Sequence, residues 1–283
     1  MPGAFRKHAE YIYNMQVRPD DVWVITFPRS GTTWTQEMIW LLENNLDYQT
    51  AKELFGPMKM ISLAGIKIDI IIVDPGSNFM NLGNFQGVGE AVRVPSFETI
   101  DKAPSPRLIK THLPLSLLPP NLLKIARVVY VARDPRDIAV SYFYLHKMIA
   151  KNLIRANFVH FWEAFRRDLS KTSTNLFTLN YLMDLPHEIR RMTKFLKRDY
   201  SDSDIQLLAK HLSFDNLKKN KTVNNTVNKD DNTIQFVRKG ESGGWKTHFD
   251  EKMQVQAEEF LVERLNGLDL SYPLFTLAEM TRL

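Results

Sequence analysis

A strand, a short loop and a helix follow one another directly near the start of this sequence, and this succession limits the fold more than any other feature. Residues 22–27 form an apolar run that predicts a buried strand, and helical periodicity extends over residues 32–44. The loop between them is rich in Pro, Gly, Ser and Thr. Such a connection directs backbone N–H groups and the positive end of a helix dipole toward one point. We therefore interpret residues 26–34, the first phosphate loop, as a phosphate-binding segment.

The first phosphate loop differs from the loop of the nucleoside triphosphatases. The spacing Gly-x-x-x-x-Gly-Lys-[Ser/Thr] is absent, and the cation of the loop is Arg29, which precedes Gly31. The segment by itself also fits an ordinary strand-to-helix connection in which Ser30 or Thr32 caps the helix. Two further segments favour the phosphate-binding interpretation.

These two segments place cations where they can meet an anion. Arg133 follows the apolar run 128–132, and Ser141 lies eight residues later in the next predicted helix, so both side chains can reach one anion. Residues 238–246, the second phosphate loop, begin with Arg238-Lys239-Gly240 and contain two more glycines. Glycines let backbone N–H groups approach an oxyanion closely, so this loop predicts a second phosphate site.

Apolar runs and helical periodicities alternate along the chain. The predicted strands are 22–27, 107–111, 126–132 and 176–181, and the predicted helices are 32–44, 135–151, 158–171, 185–196, 203–210 and 251–265. This alternation is typical of an α/β fold with a central, mostly parallel sheet covered by helices on both faces. No repeat or linker divides the sequence, so we expect one domain over residues 1–283. Residues 220–233 are polar and predict a surface loop.

Composition places the chain among ordinary globular proteins, since 44% of its 283 residues are hydrophobic and 24% are charged. The formal net charge of +5 favours an anionic ligand but does not distinguish a nucleotide from nucleic acid or an acidic membrane surface. The absence of cysteine excludes disulfides, thiolate metal sites and thiol nucleophiles. The first residues contain no apolar segment of the signal-peptide type, so we expect a cytosolic protein.

Four separated motifs occur in the order found in the cytosolic sulfotransferases, and the sequence resembles that family. The motifs are the first phosphate loop, Lys110-Thr111-His112, the segment from Arg133 to Ser141, and the second phosphate loop. The resemblance covers nearly the whole chain, from residue 18 to residue 274. It implies that 3′-phosphoadenosine 5′-phosphosulfate (PAPS) is the sulfuryl donor and that no metal takes part.

The resemblance also implies roles for individual residues. The family's 5′-phosphosulfate site matches Arg29, Ser30, Gly31, Thr32, Thr33 and Trp34, and its 3′-phosphate site matches Arg133, Ser141, Arg238, Lys239 and Gly240. Positions that contact adenine match Trp34, Tyr181 and Thr226.

The implied reaction needs a base and positive charge. An acceptor hydroxyl or amine must lose a proton as it attacks sulfur, and an imidazole with an ordinary pKa near ~6.5 can take it. His112 directly follows a predicted strand and matches the family's base. Lys110 and Arg29 would neutralise charge on the bridging and equatorial oxygens. Arginine stays protonated, so Arg29 would act by charge and hydrogen bonding rather than by proton donation.

Two segments depart from the family pattern. Residues 170–175 lead almost directly into the predicted strand 176–181, where the family has a further helix, and the Glu-Asp pair that the family has at the end of this strand is missing after Tyr181. This shortened segment predicts a more open acceptor pocket. The family's dimer signature, Lys-x-x-x-Thr-Val-x-x-x-Glu, is not found after Trp245, which leaves the oligomeric state open.

The sequence therefore predicts a PAPS-dependent sulfotransferase that acts on a hydroxyl or amine of a small, apolar or aromatic acceptor. Phe79, Phe85, Phe97 and Tyr144 lie near the motifs and fit an apolar pocket. Three alternatives remain open: a nucleotide-binding protein of the same fold without turnover, a nucleotide kinase and a nucleic-acid binder. A kinase requires a lysine-bearing triphosphate loop, and a nucleic-acid binder requires a basic stripe with interleaved aromatic residues.

Overall fold

The chain has an α/β fold, seen in a computed structural model that describes residues 9–54, 61–62, 71–72, 80–81, 97–131, 133–149, 157–171, 184–220, 224, 226–227, 234–240 and 242–265. The strands are β1 (Val22–Thr26), β2 (Ile61–Ser62), β3 (Ile71–Ile72), β4 (Met80–Asn81), β5 (Leu108–Thr111), β6 (Arg127–Val131), β7 (Thr226–Val227) and β8 (Ile234–Gln235). The α-helices are α1 (Ala9–Asn14), α2 (Thr32–Glu43), α3 (Tyr48–Glu53), α4 (Phe97–Lys102), α5 (Leu122–Ile125), α6 (Pro135–Ile149), α7 (Phe158–Lys171), α8 (Leu185–Leu196), α9 (Asp202–His211), α10 (Phe214–Lys219) and α11 (Glu251–Leu265). Within these residues, no helix is long and apolar enough to cross a membrane.

Four strands form the central sheet in the order β2-β5-β1-β6, and each neighbouring pair is parallel. In the middle of β1, Val24 lies opposite Lys110 of β5 and Val129 of β6. Every residue of β1 is buried, which explains why this segment is an unbroken apolar run rather than an alternating one. The expected parallel sheet is thereby confirmed.

Alternate side chains of β1 lie on opposite faces of the sheet. Val22 and Val24 pack with residues of α2, α8 and α9, whereas Trp23 and Ile25 pack with Ile109 and with residues of α1, α4 and α5. This division follows from the two-residue period of a strand. Complete burial of a valine or isoleucine side chain contributes about 1.5–3 kcal/mol, so the helical cover on both faces stabilises the strand strongly.

A separate core, formed largely by aromatic rings, connects α6, α7 and α11 to the second phosphate loop. The ring centroid of Phe249 lies 4.8 Å from that of Trp162 and 5.5 Å from that of Trp245, both edge to face. Trp245 belongs to the second phosphate loop and Trp162 to α7. The aromatic core therefore fixes this loop against the helices that follow β6.

The long predicted elements agree with the observed ones to within a few residues, but the short ones differ. The sequence periodicity does not predict α1, α3, α4, α5 or α10, because helices of four to six residues are too short to show a helical period. The predicted strand 176–181 and the shortened segment before it lie outside the described residues, except for the end of α7. Residues 220–233 are not entirely a loop, since β7 pairs antiparallel with β8.

Candidate active site

The carboxyl ends of three neighbouring strands bring the predicted motifs together. β1 ends at Thr26 and continues into the first phosphate loop, and β5 ends at Thr111, directly before His112. β6 ends at Val131, two residues before Arg133. Because these strands are parallel and adjacent, all three segments leave the sheet at one edge. The candidate site lies at this edge.

The first phosphate loop ends in a helix N-terminus that no side chain caps. Gly31 precedes α2 with a φ of 101°, a left-handed conformation that favours glycine, and makes no side-chain cap. Ser30 is only 4% exposed, and its hydroxyl has no hydrogen-bond partner within the described ranges. Capping of the helix by Ser30 or Thr32 is therefore not observed. A buried hydroxyl beside uncapped N–H groups suits an anionic ligand.

Thr33 and Trp34 occupy the first turn of α2 behind this loop. Trp34 is partly buried and packs against the core on the α2 face of the sheet.

His112 is held in one orientation by the end of β1. Its Nδ1 lies 2.8 Å from the carbonyl oxygen of Thr26 and 3.0 Å from the hydroxyl of the same residue. A carbonyl oxygen only accepts, so Nδ1 carries the proton and donates it to Thr26. The Thr26 hydroxyl lies in turn 2.7 Å from that of Thr32. The Nε2 atom is consequently the unprotonated ring nitrogen, which can accept a proton. It has no hydrogen-bond partner in the described part of the chain.

The environment of His112 keeps its imidazole neutral. Burial, together with the positive charge of Lys110, lowers the pKa of His112 to about 4, although the hydrogen bond to Thr26 opposes this shift. This value is lower than the ordinary one assumed from the sequence. The ring is therefore a ready proton acceptor at neutral pH, but a weaker base than an exposed histidine.

Lys110 is a partly buried cation on β5. Burial lowers its pKa. Among the described residues it makes no hydrogen bond or ion pair. A partly buried ammonium group without a partner is stabilised when an anion approaches it, so Lys110 also indicates an anion site at this edge.

Three arginines converge on the other side of the first phosphate loop. The Nε atom of Arg29 donates to the Ser141 hydroxyl at 3.0 Å, and its Nη2 atom donates to the Phe236 carbonyl at 2.8 Å. Arg133 donates from Nη1 to the carbonyl oxygen of Arg29 at 3.4 Å. Burial and the neighbouring charges of Arg133 and Arg238 lower the pKa of Arg29 to about 10. The structure thus places the Arg29 side chain beside Ser141 and Arg133, which the sequence resemblance assigns to the 3′-phosphate site.

Asp137 joins α6 to the second phosphate loop. Its carboxylate accepts hydrogen bonds from the backbone N–H groups of Gly243 at 2.8 Å and Trp245 at 3.1 Å. It also lies 3.9 Å from the Arg133 guanidinium. Asp137 therefore holds the loop beside the strand end that carries Arg133, a role that the sequence analysis does not identify.

Two aromatic rings shape the start of the second phosphate loop. The Arg238 guanidinium lies over the Tyr144 ring, with Cζ 4.3 Å from the centroid. Tyr144 thus supports the Arg238 guanidinium. Gly240 has a φ of 67° and lies directly against Phe214 of α10, while Lys239 is exposed.

The remaining sequence predictions for the site fall in or beside residues outside the described ranges. Tyr181, Phe79 and Phe85 lie outside them, and only the backbones of Phe97 in α4 and Thr226 in β7 are described.

Sequence reasoning missed Thr26 as the partner of His112 and Phe236 as the partner of Arg29. Neither residue carries a local signal for these contacts, although Thr26 is the first residue of the first phosphate loop and Phe236 lies two residues before the second. Among the described residues, no group of three or more His, Asp or Glu side chains could hold a metal ion.

Comparisons with known proteins identify the family of the chain. The Sulfotransferase domain family model matches residues 19–269. Sulfotransferase 1A1 of Canis lupus familiaris is 30% identical, over 95% of this chain and 91% of that protein, and sulfotransferase 1E1 of Bos taurus is 28% identical, over 95% and 92%. The crystal structure of retinol dehydratase in a complex with retinol and PAP shares 36% sequence identity at a TM-score of 0.79, covering 96% of this chain and 88% of that one.

The chain therefore belongs to the sulfotransferase family. It is a PAPS-dependent enzyme, and it transfers the sulfuryl group of that nucleotide. Membership of this family excludes two alternatives that the sequence left open, a nucleotide kinase and a nucleic-acid binder. The buried Ser30 hydroxyl, the partly buried Lys110 and the arginine cluster fit the anionic groups of PAPS.

Replacing Gly240 by alanine is expected to weaken binding of adenosine 3′,5′-bisphosphate about tenfold or more. A Cβ atom at this position would overlap the ring of Phe214, and φ is 67°. The second phosphate loop must then move away from α10, and left-handed strain adds about 1–2 kcal/mol. Calorimetric titration measures the loss. Gly243→Ala is the matched control, because Gly243 has a φ of 79° but open space around it. An equal loss in both variants would rule out the contact with Phe214 as the cause.

The low pKa of His112 should make the folded protein less stable in acid. Since the pKa is about 4 in the folded state and about 6.5 in the unfolded one, the unfolded state binds more protons between these values. The stability associated with His112 is complete above pH 6.5 and falls by up to about 3 kcal/mol as the pH drops to 4. Urea denaturation at both pH values should show this extra loss in the wild type and not in His112→Gln. Parallel losses in the two proteins would contradict it.

Proposed function

We propose that the enzyme transfers the sulfuryl group of PAPS to the hydroxyl of a small, apolar alcohol, with Nε2 of His112 as the general base. The observation that carries this proposal is the hydrogen bond from Nδ1 to the Thr26 carbonyl. This hydrogen bond fixes the tautomer in which Nε2 can accept a proton. Lys110 and the first phosphate loop lie at the same edge of the sheet, at the carboxyl ends of its strands.

The chemistry follows from the charges at this edge. The acceptor oxygen attacks sulfur, and its proton passes to Nε2 of His112. The bond between sulfur and the bridging oxygen breaks, and the electron pair stays on the phosphate of the departing bisphosphate. Lys110 and the uncapped N–H groups of α2 stabilise this negative charge. Transfer is direct and proceeds with inversion at sulfur, as expected for in-line displacement.

The bound nucleotide also changes the pKa of the base, His112. In the protein alone, the charge of Lys110 contributes to the low pKa of His112. A sulfated phosphate beside Lys110 offsets that charge, so we propose that PAPS binding raises the pKa of His112 and makes it a stronger base. The enzyme would thereby gain basicity only when the donor is present.

An apolar acceptor is favoured by the residues next to the base. Phe27 directly follows Thr26, and its ring lies 6.1 Å from that of Tyr142 and 6.2 Å from that of Phe165, centroid to centroid. The partner of His112 is therefore joined to an apolar wall. Two similar structures support the same class: one is a complex of retinol dehydratase with retinol and PAP, and the other is a complex with androsterone and inactive cofactor PAP.

A second candidate function is the dehydration of an alcohol. It is favoured by the 36% identity with a protein described as retinol dehydratase. A sulfate ester leaves an activated carbon more readily than a hydroxyl does, so sulfuryl transfer followed by loss of sulfate and a proton from the neighbouring carbon would yield an alkene. The same donor site and base serve both outcomes.

The two products distinguish these functions. Wild-type protein with labelled PAPS is incubated with retinol, androsterone, a phenol, a catechol and an aromatic amine, and the products are separated by mass. We expect a sulfate ester or an alkene from the apolar alcohols. Bisphosphate binding by calorimetry without turnover of any acceptor would instead support a nucleotide binder of this fold. We further propose, as the sequence predicted, that residues 1–283 act as one domain in the cytosol.

A further inference from the structure

We propose that Tyr144 and His248 are positioning residues for Arg238. The hydrogen bond between them fixes the Tyr144 ring, and the ring orders the Arg238 guanidinium before the nucleotide binds. Neither Tyr144 nor His248 is among the residues that the sequence resemblance assigns to the nucleotide. The inference rests on the PAPS-dependent reaction and on the 3′-phosphate contact that the resemblance implies for Arg238.

The hydrogen bonds of His248 fix its tautomer. His248 directly follows the short 3₁₀-helix Gly244–Thr247. Its Nδ1 atom lies 3.3 Å from the carbonyl oxygen of Gly244 and 3.0 Å from the hydroxyl of Thr247. Because a carbonyl oxygen only accepts, Nδ1 carries the proton. Nε2 is therefore an acceptor, and the Tyr144 hydroxyl donates to it at 3.2 Å.

The surroundings of His248 keep its imidazole neutral. Burial lowers the pKa of His248, and the positive charges of Arg238 and Lys239 lower it further, although the hydrogen bond to Gly244 opposes this shift. Only a neutral imidazole can accept the hydrogen bond from Tyr144 while Nδ1 donates.

Ring contacts hold Tyr144 in addition to its hydroxyl. Its ring centroid lies 5.5 Å from that of Phe143 and 5.8 Å from that of His248, both edge to face. The ring of Phe158 in α7 lies 5.8 Å from that of His248. Tyr144 thus contacts Arg238 at the start of the second phosphate loop and His248 just after its end, so one ring of α6 joins both ends of the loop.

Arg238 lies on this ring with its N–H groups available. Its Cζ atom is 4.3 Å from the Tyr144 centroid, and within the described ranges Arg238 makes no hydrogen bond or ion pair. Besides burial, the charge of Arg238 lowers the pKa of Arg29, so Arg238 lies within electrostatic range of the arginine cluster. A guanidinium held by the face of a ring can still donate from its rim to phosphate oxygens.

A fixed ring reduces the free-energy cost of binding. An arginine side chain has several rotatable bonds, and a ligand that must order such a side chain binds more weakly. With the Tyr144 ring beneath it, Arg238 is ordered in the protein alone. Tyr144 and His248 consequently favour a nucleotide that carries the phosphate contacted by Arg238.

Calorimetry with two nucleotides tests this inference. Adenosine 3′,5′-bisphosphate and adenosine 5′-phosphate are titrated into the wild type, Tyr144→Leu and His248→Phe. We expect Tyr144→Leu to lower the affinity for the bisphosphate about 3- to 30-fold, the factor for leaving Arg238 to be ordered by the ligand. His248→Phe keeps a ring beside Tyr144 but loses the hydrogen bond, so it should lower this affinity about 3- to 10-fold. Both variants should bind the monophosphate within about twofold of wild type.

Two further variants show whether the effect passes through Arg238. In Arg238→Gln, adding Tyr144→Leu should cause no further loss of bisphosphate affinity. Tyr144→Phe keeps the ring and loses the same hydrogen bond as His248→Phe, so these two variants should match, and Tyr144→Phe should bind better than Tyr144→Leu. Tyr13→Leu is the control, because Tyr13 is an exposed tyrosine on α1, and it should bind both nucleotides like the wild type.

The outcomes separate this inference from the reaction on which it rests. If the wild type does not bind the bisphosphate, the PAPS-dependent reaction and the inference both fail. If the wild type binds it, three results would overturn the inference alone. These are an equal loss for both nucleotides in Tyr144→Leu, an equal loss for both in Arg238→Gln, and a full further loss when Tyr144→Leu is added to Arg238→Gln.

Discussion

Replacing His112 by glutamine is expected to lower turnover about 10²–10⁴-fold, the usual contribution of a positioned general base. Glutamine can still hydrogen bond to the Thr26 carbonyl, which His112 contacts at 2.8 Å, but it cannot accept a proton from the acceptor. Binding of adenosine 3′,5′-bisphosphate should change little, because the phosphate contacts lie on other residues. Single-turnover measurements with PAPS and an apolar alcohol isolate the chemical step.

His160→Gln serves as the matched control for this experiment. His160 is exposed on α7 and lies outside the candidate site. It should retain wild-type turnover and the wild-type melting temperature. A His112→Gln variant that turns over as fast as His160→Gln would show that His112 is not the base.

Replacing Lys110 by glutamine is expected to lower turnover about 10²–10³-fold, comparable to the loss of one donor that stabilises developing negative charge. The pH profile should change as well. Since Lys110 contributes to the low pKa of His112, its removal should raise that pKa and move the acid limb of kcat/KM to higher pH. A purely structural role for Lys110 would lower turnover without moving this limb.

The matched control here is Lys102→Gln, because Lys102 is an exposed lysine in the last turn of α4. It should leave both turnover and the pH profile unchanged. An unchanged acid limb in Lys110→Gln would contradict the electrostatic coupling between Lys110 and His112.

The sequence by itself determined the framework of the site. The apolar run of β1 predicted a strand buried on both faces, and long helices such as α7 and α8 were visible because an amphipathic period over twelve or more residues is unambiguous. The parallel sheet then required the segments after β1, β5 and β6 to meet at one edge. Arg29, His112 and Arg133 could therefore be assigned to a common region before any distance was known.

The tertiary structure alone decided how these residues divide the work. His112 hydrogen bonds to the carbonyl oxygen of Thr26, 86 residues away in the sequence. Arg29 hydrogen bonds to Ser141 and Phe236, which are 112 and 207 residues away. Every residue has a backbone carbonyl with the same chemistry. The sequence therefore cannot predict that the carbonyl oxygen of Thr26 fixes the tautomer of His112, or that the carbonyl oxygen of Phe236 accepts a hydrogen bond from Arg29. The direction of Arg29 and the low pKa of His112 depend on burial and on neighbouring charges, which exist only after the chain has folded.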